Sequence, residues 1–153
     1  MLSQDFKEFI QLLNENQIEY LVVGGYAVGV HGYPRYTGDI DIWINMSDEN
    51  AEKMISVLDK FGFGELGFKK KNFLNADNVI QLGVPPFRID ILMALDGVNF
   101  HECYLNKHVV NVDGDLINFI SFEDLIKNKK AIDRERDIID LENLKKPKFR
   151  EPF

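Results

Sequence analysis

The sequence predicts a mixed α/β fold, and three observations lead there. Segments whose apolar residues recur with a helix period of about 3.6 are interleaved with segments that alternate every second residue. Two of the alternating segments, 39–44 and 87–92, place isoleucines on one face and charged residues on the other. Glycine, proline and asparagine punctuate the joins, and no internal repeat or long linker interrupts the pattern.

The elements follow in order. Ser3 is a helix N-cap, and Phe6, Phe9, Ile10 and Leu13 fall on one face of the helix it opens. The polar run 14–17 ends that helix. Residues 20–23 form a short apolar strand stopped by Gly24 and Gly25, and residues 26–31 a short helix. Pro34 and two glycines make 32–38 a loop. Residues 39–44 are the best-marked strand. Ser47 caps the next helix, whose core face is Ala51, Met54, Ile55 and Leu58, and Gly62 and Gly64 close it. One or two strands are expected within 68–82, with 79–82 the firmer. After Pro85 and Pro86 comes the strand 87–92. Residues 108–112 and 116–120 flank Asp113 and Gly114 as a hairpin. A capping box at Ser121 starts a helical segment that runs to Leu144 with a break near Asp133. A single domain over 1–146 and an irregular tail at 147–153 are expected.

Composition narrows the function. The chain has 153 residues, of which 45% are hydrophobic and 28% charged, the balance of an ordered globular protein. A net charge of −7 argues against stable binding to duplex DNA, which requires phosphate neutralisation. Contact with RNA would need a local patch, and Lys69-Lys70-Lys71 and the segment 127–136 are the candidates. The first run reads better as a solvated charged face. The single cysteine, Cys103, excludes an internal disulfide and a multi-cysteine zinc site. No apolar run approaches the ~20 residues of a membrane span, and the first residues lack a signal-peptide pattern. A cytoplasmic setting is expected. His31, His101 and His108 lack metal-ligand spacing, and Cys103 reads as inert.

The chemistry lies in the aspartates. Asp39 and Asp41 point the same way from one strand, with Cα atoms about 6.5–7 Å apart. Two carboxylates that close repel by about 3 kcal/mol at an effective dielectric of ~20, and a metal between them relieves the repulsion. Asp90 sits opposite an isoleucine face on its own strand. If the two strands are neighbours, three carboxylates meet, a hard-oxygen donor set suited to Mg²⁺ and phosphoryl or nucleotidyl transfer. Alone, an aspartate pair on a strand is more often the solvated face of an antiparallel sheet. Upstream, Gly24-Gly25 follows a strand and precedes a helix, where backbone N–H groups can cradle phosphate. It lacks the Lys-Ser/Thr of a Walker A loop and the spacing of a dinucleotide fingerprint. Arg35, with Thr37 nearby, is placed to bind a triphosphate oxygen, or is a surface arginine. Trp43 shares the face of Asp39 and Asp41, so it lines the site or caps the core.

Taken together, Gly24-Gly25-Tyr26-Ala27, His31-Gly32 and Arg35-Tyr36-Thr37-Gly38-Asp39-Ile40-Asp41 resemble the signature of polymerase-β-like nucleotidyltransferases, in the minimal and AbiEii-like toxin groups. Arg88 to Leu92 looks like the strand that supplies the third carboxylate. Asp124-Leu125-Ile126, Lys129, Arg134, Asp137 and Asp140-Leu141 look like the fourth motif. The resemblance implies a small mixed sheet flanked by helices, the palm-like nucleotidyltransferase fold. It implies a nucleoside triphosphate (ATP among the candidates), Mg²⁺ or Mn²⁺, and transfer of a nucleoside monophosphate to a hydroxyl on RNA, tRNA included, or on protein. It also implies a toxin of a toxin–antitoxin pair, whose partner would be an antitoxin protein. Gly24, Gly25, Arg35, Thr37 and Lys129 would bind nucleotide. Asp39, Asp41 and Asp90 would bind metal and, with Lys129, form the catalytic set; Asp90 would also help deprotonate the acceptor. The alternative is a catalytically weak member that binds nucleotide or a partner. Many relatives carry Gly-Ser at the phosphate turn, where this chain has Gly24-Gly25.

Lys129 draws a separate expectation. It falls inside the apolar stripe of Leu125 and Ile126, whereas Lys127 and Lys130 point away. A lysine there is costly unless paired or reaching water. The stripe is expected to pass the active site with Lys129 aimed at the carboxylates and the triphosphate; the alternative is snorkelling.

Overall fold

The computed structural model describes residues 2–146, and the tail expected at 147–153 lies outside the described residues. The N–H of Phe6 donates to Ser3 Oγ at 3.2 Å and opens α1 (Gln4–Glu15), whose Phe6, Phe9, Ile10 and Leu13 are all buried. The strand β1 (Tyr20–Val23) follows, buried at every position because both of its faces are covered. It runs directly into α2 (Gly24–Val30), so the two glycines begin the helix as well as ending the strand.

After the loop comes β2 (Asp39–Ile44), then α3 (Asp48–Leu58), capped by Ser47 Oγ accepting from the Asn50 N–H at 3.1 Å. Ala51, Met54 and Leu58 are buried as expected, Ile55 only partly, and Val57 joins them. Gly62 ends this region with a φ of 101°. Within 68–82 only β3 (Val79–Leu82) is a strand. Residues Lys70–Phe73 form a 3₁₀ turn instead, because the Lys69 N–H donates to Asn72 Oδ1 at 2.8 Å and Phe73 turns fully into the core. Lys69 and Lys71 are exposed, and Lys70 pairs with Glu52.

Next are β4 (Arg88–Leu92) and α4 (Phe100–Leu105), a helix absent from the sequence reading. The hairpin β5 (His108–Val112) and β6 (Asp115–Phe119) turns on Asp113 and Gly114, both with positive φ, the geometry that matches the twist of paired strands. Two helices follow, α5 (Phe122–Ile132) and α6 (Glu135–Lys145), separated by Asp133 in the left-handed region at φ 57°.

Among the described residues six strands form one mixed sheet in the order β3-β4-β2-β1-β6-β5. The β1/β6 and β2/β4 pairs are parallel and the others antiparallel. The arrangement that matters for the site is β2 beside β4: Asp39 lies opposite Arg88, and Asp41 opposite Asp90. Among the described residues, no helix is long and apolar enough to cross a membrane.

Candidate active site

Strand register alone brings the carboxylates together. Neighbouring strands lie about 4.8 Å apart, so paired residues on one face share a small space. Asp39, Asp41 and Asp90 each offer an oxygen, and these atoms lie within 4.8 Å of one another. The donors are all hard oxygens, which fits a hard divalent cation.

Arg88 belongs to the same cluster. Its Nε and Nη2 donate to Asp90 Oδ1 and Oδ2 at 2.8 and 3.0 Å, and Nη2 also donates to Asp39 Oδ2 at 3.3 Å. The signal for it was in the sequence: Arg88 stands two residues before Asp90 on an alternating strand and shares its face.

The three carboxyls are not equivalent. Burial, then the charges of Asp39 and Asp90, push Asp41 up to about 7, against a weaker pull from Arg136. Burial also raises Asp90, although its hydrogen bonds from Arg88 oppose the rise. At Asp39 burial acts upward too, but hydrogen bonds within the cluster and from Thr37, together with the Arg88 charge, hold it below the usual range. Near pH 7 Asp41 is therefore about half protonated, and an incoming cation must displace that proton. Below about pH 7, divalent-cation affinity should fall roughly tenfold per pH unit for each such proton. Calorimetry in buffers of different ionisation enthalpy should show proton release on binding at pH 6.5 and little at pH 8.5.

The phosphate turn is built tightly against these groups. A Cβ at Gly24, which has a φ of 65°, would overlap Asp41 Oδ2. A Cβ at Gly25 would lie 3.0 Å from both Cβ and Oγ1 of Thr37. The Thr37 hydroxyl donates toward Asp39, with its Oγ1 3.1 Å from the backbone O and 3.2 Å from Oδ1. The departure from Gly-Ser thus has a local cause: Thr37 fills the space that a side chain at position 25 would need. A cavity of about 510 Å³ opens beside the turn, lined by Gly25, Tyr26, Arg35, Tyr36, Thr37 and Phe87 among others.

Two expected site residues pair with α6 aspartates and not with the carboxylate cluster. Lys129 does not pair with the cluster carboxylates: its ammonium donates to Asp137 Oδ1 at 2.8 Å and lies 3.1 Å from Asp140 Oδ2. Nor does it snorkel, for the side chain is buried. The break at Asp133 folds α6 back against α5, so the stripe that carries Lys129 faces two α6 aspartates. Arg35 is held by Asp140, its Nε and Nη2 each donating at 3.2 Å to one carboxylate oxygen. Trp43 is a core residue, edge-on to Phe100 with ring centroids 5.0 Å apart. His31 Nε2 lies 2.7 Å from the Ile120 carbonyl, joining α2 to the end of β6. Burial and the neighbouring Asp124 push the Cys103 thiol up to about 12, which leaves no thiolate at neutral pH.

The profile of the family described as nucleotidyl transferase of unknown function (DUF2204) matches residues 2–150. The chain belongs to this family. As a nucleotidyl transferase it uses a nucleoside triphosphate and a divalent metal, and the Asp39, Asp41 and Asp90 cluster offers a donor set of the required kind. The nucleotidyl transferase fold is also that of a solved structure, the lincosamide antibiotic adenylyltransferase LnuA bound to lincomycin. The two share 18% identity with a TM-score of 0.56, over 95% of this chain and 97% of that one. No curated protein sequence matches this nucleotidyl transferase.

Proposed function

We propose that residues 1–146 form one nucleotidyltransferase domain that moves a nucleoside monophosphate from a nucleoside triphosphate to an acceptor hydroxyl, with Mg²⁺ or Mn²⁺ held by Asp39, Asp41 and Asp90. The observation that carries this reading is the β2/β4 register, which sets Asp41 opposite Asp90 beside the Gly24-Gly25 turn. The bound cation supplies charge neutralisation and alignment of the attacking and leaving oxygens. The residues of the chain do the rest. Gly24 and Gly25 offer backbone N–H groups to the phosphates without a side chain in the way. Asp90, on the strand beside β2, would also take the proton of the attacking hydroxyl.

The acceptor is a hydroxyl on RNA or protein, in a cytoplasmic toxin that an antitoxin protein would restrain. Exposed Lys127, Lys130, Arg134 and Arg136 on α5 and α6 support an RNA acceptor, since Arg134 and Arg136 act electrostatically on Asp41. A second reading, a compact small-molecule acceptor, is favoured by the aromatic cavity beside Gly25 and by the small-molecule ligand of the adenylyltransferase structure.

The deciding experiment incubates the protein with each α-³²P nucleoside triphosphate, Mg²⁺ or Mn²⁺, and separately total RNA, protein lysate or a pool of hydroxylated small molecules. Metal-dependent label on one class identifies the acceptor. Nucleotide binding with no transfer to any of the three would make the chain a binding member of the fold.

A further inference from the structure

We infer that Asp140 and Lys129 are positioning residues that hold Arg35 at the nucleotide site, an inference that rests on the nucleotidyl-transfer reading above. Five side chains alternate in charge through the α5–α6 packing: Arg35, Asp140, Lys129, Asp137 and Arg134. Their side-chain exposures are 20%, 1%, 3%, 0% and 56% in that order. The three inner members are sealed from water, and the two ends are not. Three cations and two anions leave one net positive charge, and only the two end members are open to solvent.

One end lines the site and the other acts on it through its charge. Arg35 lines the cavity with Gly25 and Thr37, on the loop that leads into Asp39. Arg134 stands at the start of α6, and its charge interacts with that of Asp41. Asp140 grips Arg35 along the edge formed by Nε and one Nη2 hydrogen. A guanidinium has five N–H groups in a rigid plane, so three remain, two of them on Nη1. A flexible, solvated arginine would lose side-chain entropy on gripping phosphate; one already held by a carboxylate has lost it in folding.

Lys129 makes that grip affordable. Two fully buried carboxylates on successive turns of α6 repel, and the ammonium between them offsets that repulsion and keeps Asp140 facing Arg35. Lys129 therefore acts through Asp140 and Arg35 rather than by touching the nucleotide.

The test uses the full chain with Asp140→Asn, Arg35→Gln, the double variant and Arg35→Lys. Binding of the Mg²⁺ complexes of the four α,β-methylene nucleoside triphosphates is measured by calorimetry, and the arginine Nε–H signals are followed by ¹⁵N NMR. Each single variant should weaken binding by about tenfold, and the double should be little worse than Arg35→Gln alone, because the two act as a unit. Arg35→Lys keeps the charge but not the fork and should also bind less tightly. It serves the purpose even if Asp140→Asn does not fold. A slowly exchanging Arg35 Nε–H signal should be present in the wild type and lost in Asp140→Asn. Independent losses that multiply, wild-type affinity in Asp140→Asn, or wild-type affinity in Arg35→Lys would each overturn the inference. Failure of the wild type to bind any of the four nucleotides would overturn the nucleotide reading and with it the purpose of the grip, while the NMR signal separately reports whether Asp140 holds Arg35.

Discussion

Asp41→Asn should abolish nucleotidyl transfer, with a loss of about 10³-fold or more, roughly 4 kcal/mol of transition-state stabilisation, while leaving the fold intact. The amide has the shape of the carboxylate but brings no charge to the metal. The same substitution should stabilise the metal-free protein. Asp41 has a folded pKa of about 7, above its ordinary 3.8. A raised carboxyl pKa means that the folded state binds the proton more tightly than the unfolded chain does. Stability attached to Asp41 is thus greatest below pH ~4 and is lost as pH rises toward 7. Above pH 7 the wild type bears the full cost of a buried, repelled carboxylate, on the order of a few kcal/mol. Thermal melts with a chelator should therefore place Asp41→Asn above the wild type at pH 8, with the two converging near pH 4. Millimolar Mg²⁺ should raise the wild type and not the variant. Unchanged turnover in Asp41→Asn would remove Asp41 from the reaction.

Lys129→Met should cost about 3–5 kcal/mol of stability, the range for removing one partner from a buried ion pair. At roughly 2–4 °C per kcal/mol for a chain of this size, the melting temperature should fall by about 6–20 °C. Lys127→Met and Lys130→Met, on exposed positions, should change stability by no more than about 0.5 kcal/mol. The defect should shrink in acid. Burial acts to raise Asp137, but hydrogen bonds from Arg134 and Lys129 hold its carboxyl below the ordinary range. Its contribution to stability is therefore present above pH ~4 and lost as pH falls through the lower folded value. Adding Asp137→Asn and Asp140→Asn to Lys129→Met should recover much of the loss, because no uncompensated buried charge is left. A Lys129→Met variant that melts with the wild type at pH 7 would show the buried network to be dispensable.

Local chemistry made much of the fold legible. Ser3, Ser47 and Ser121 each accept the capping hydrogen bond that their position implied. Asp113-Gly114 makes the hairpin turn, and Asp133 breaks the last helical segment. These features depend on a few neighbouring residues. Of the one or two strands expected within 68–82 only the firmer, Val79–Leu82, is present; Lys70–Phe73 is a 3₁₀ turn because Phe73 packs into the core rather than facing a sheet partner. The helix Phe100–Leu105 was missed because six residues carry too little periodicity to stand out.

The candidate site divides the same way. By itself the sequence determined that Asp39 and Asp41 share a face, that Asp90 lies opposite an isoleucine face, and that glycines precede them, since strand alternation is fixed within one segment. Which strands adjoin is not a local property. Only the tertiary structure set β2 beside β4, and only that register put Asp41 against Asp90 with Arg88 across from Asp39. Arg35 and Asp140 are 105 positions apart, and Lys129 reaches Asp137 only across the turn at Asp133. A helical wheel shows that Lys129 faces inward but not what it will meet there. The partner of a buried charge depends on long-range packing, because the desolvation that makes the pairing necessary arises only when the elements come together.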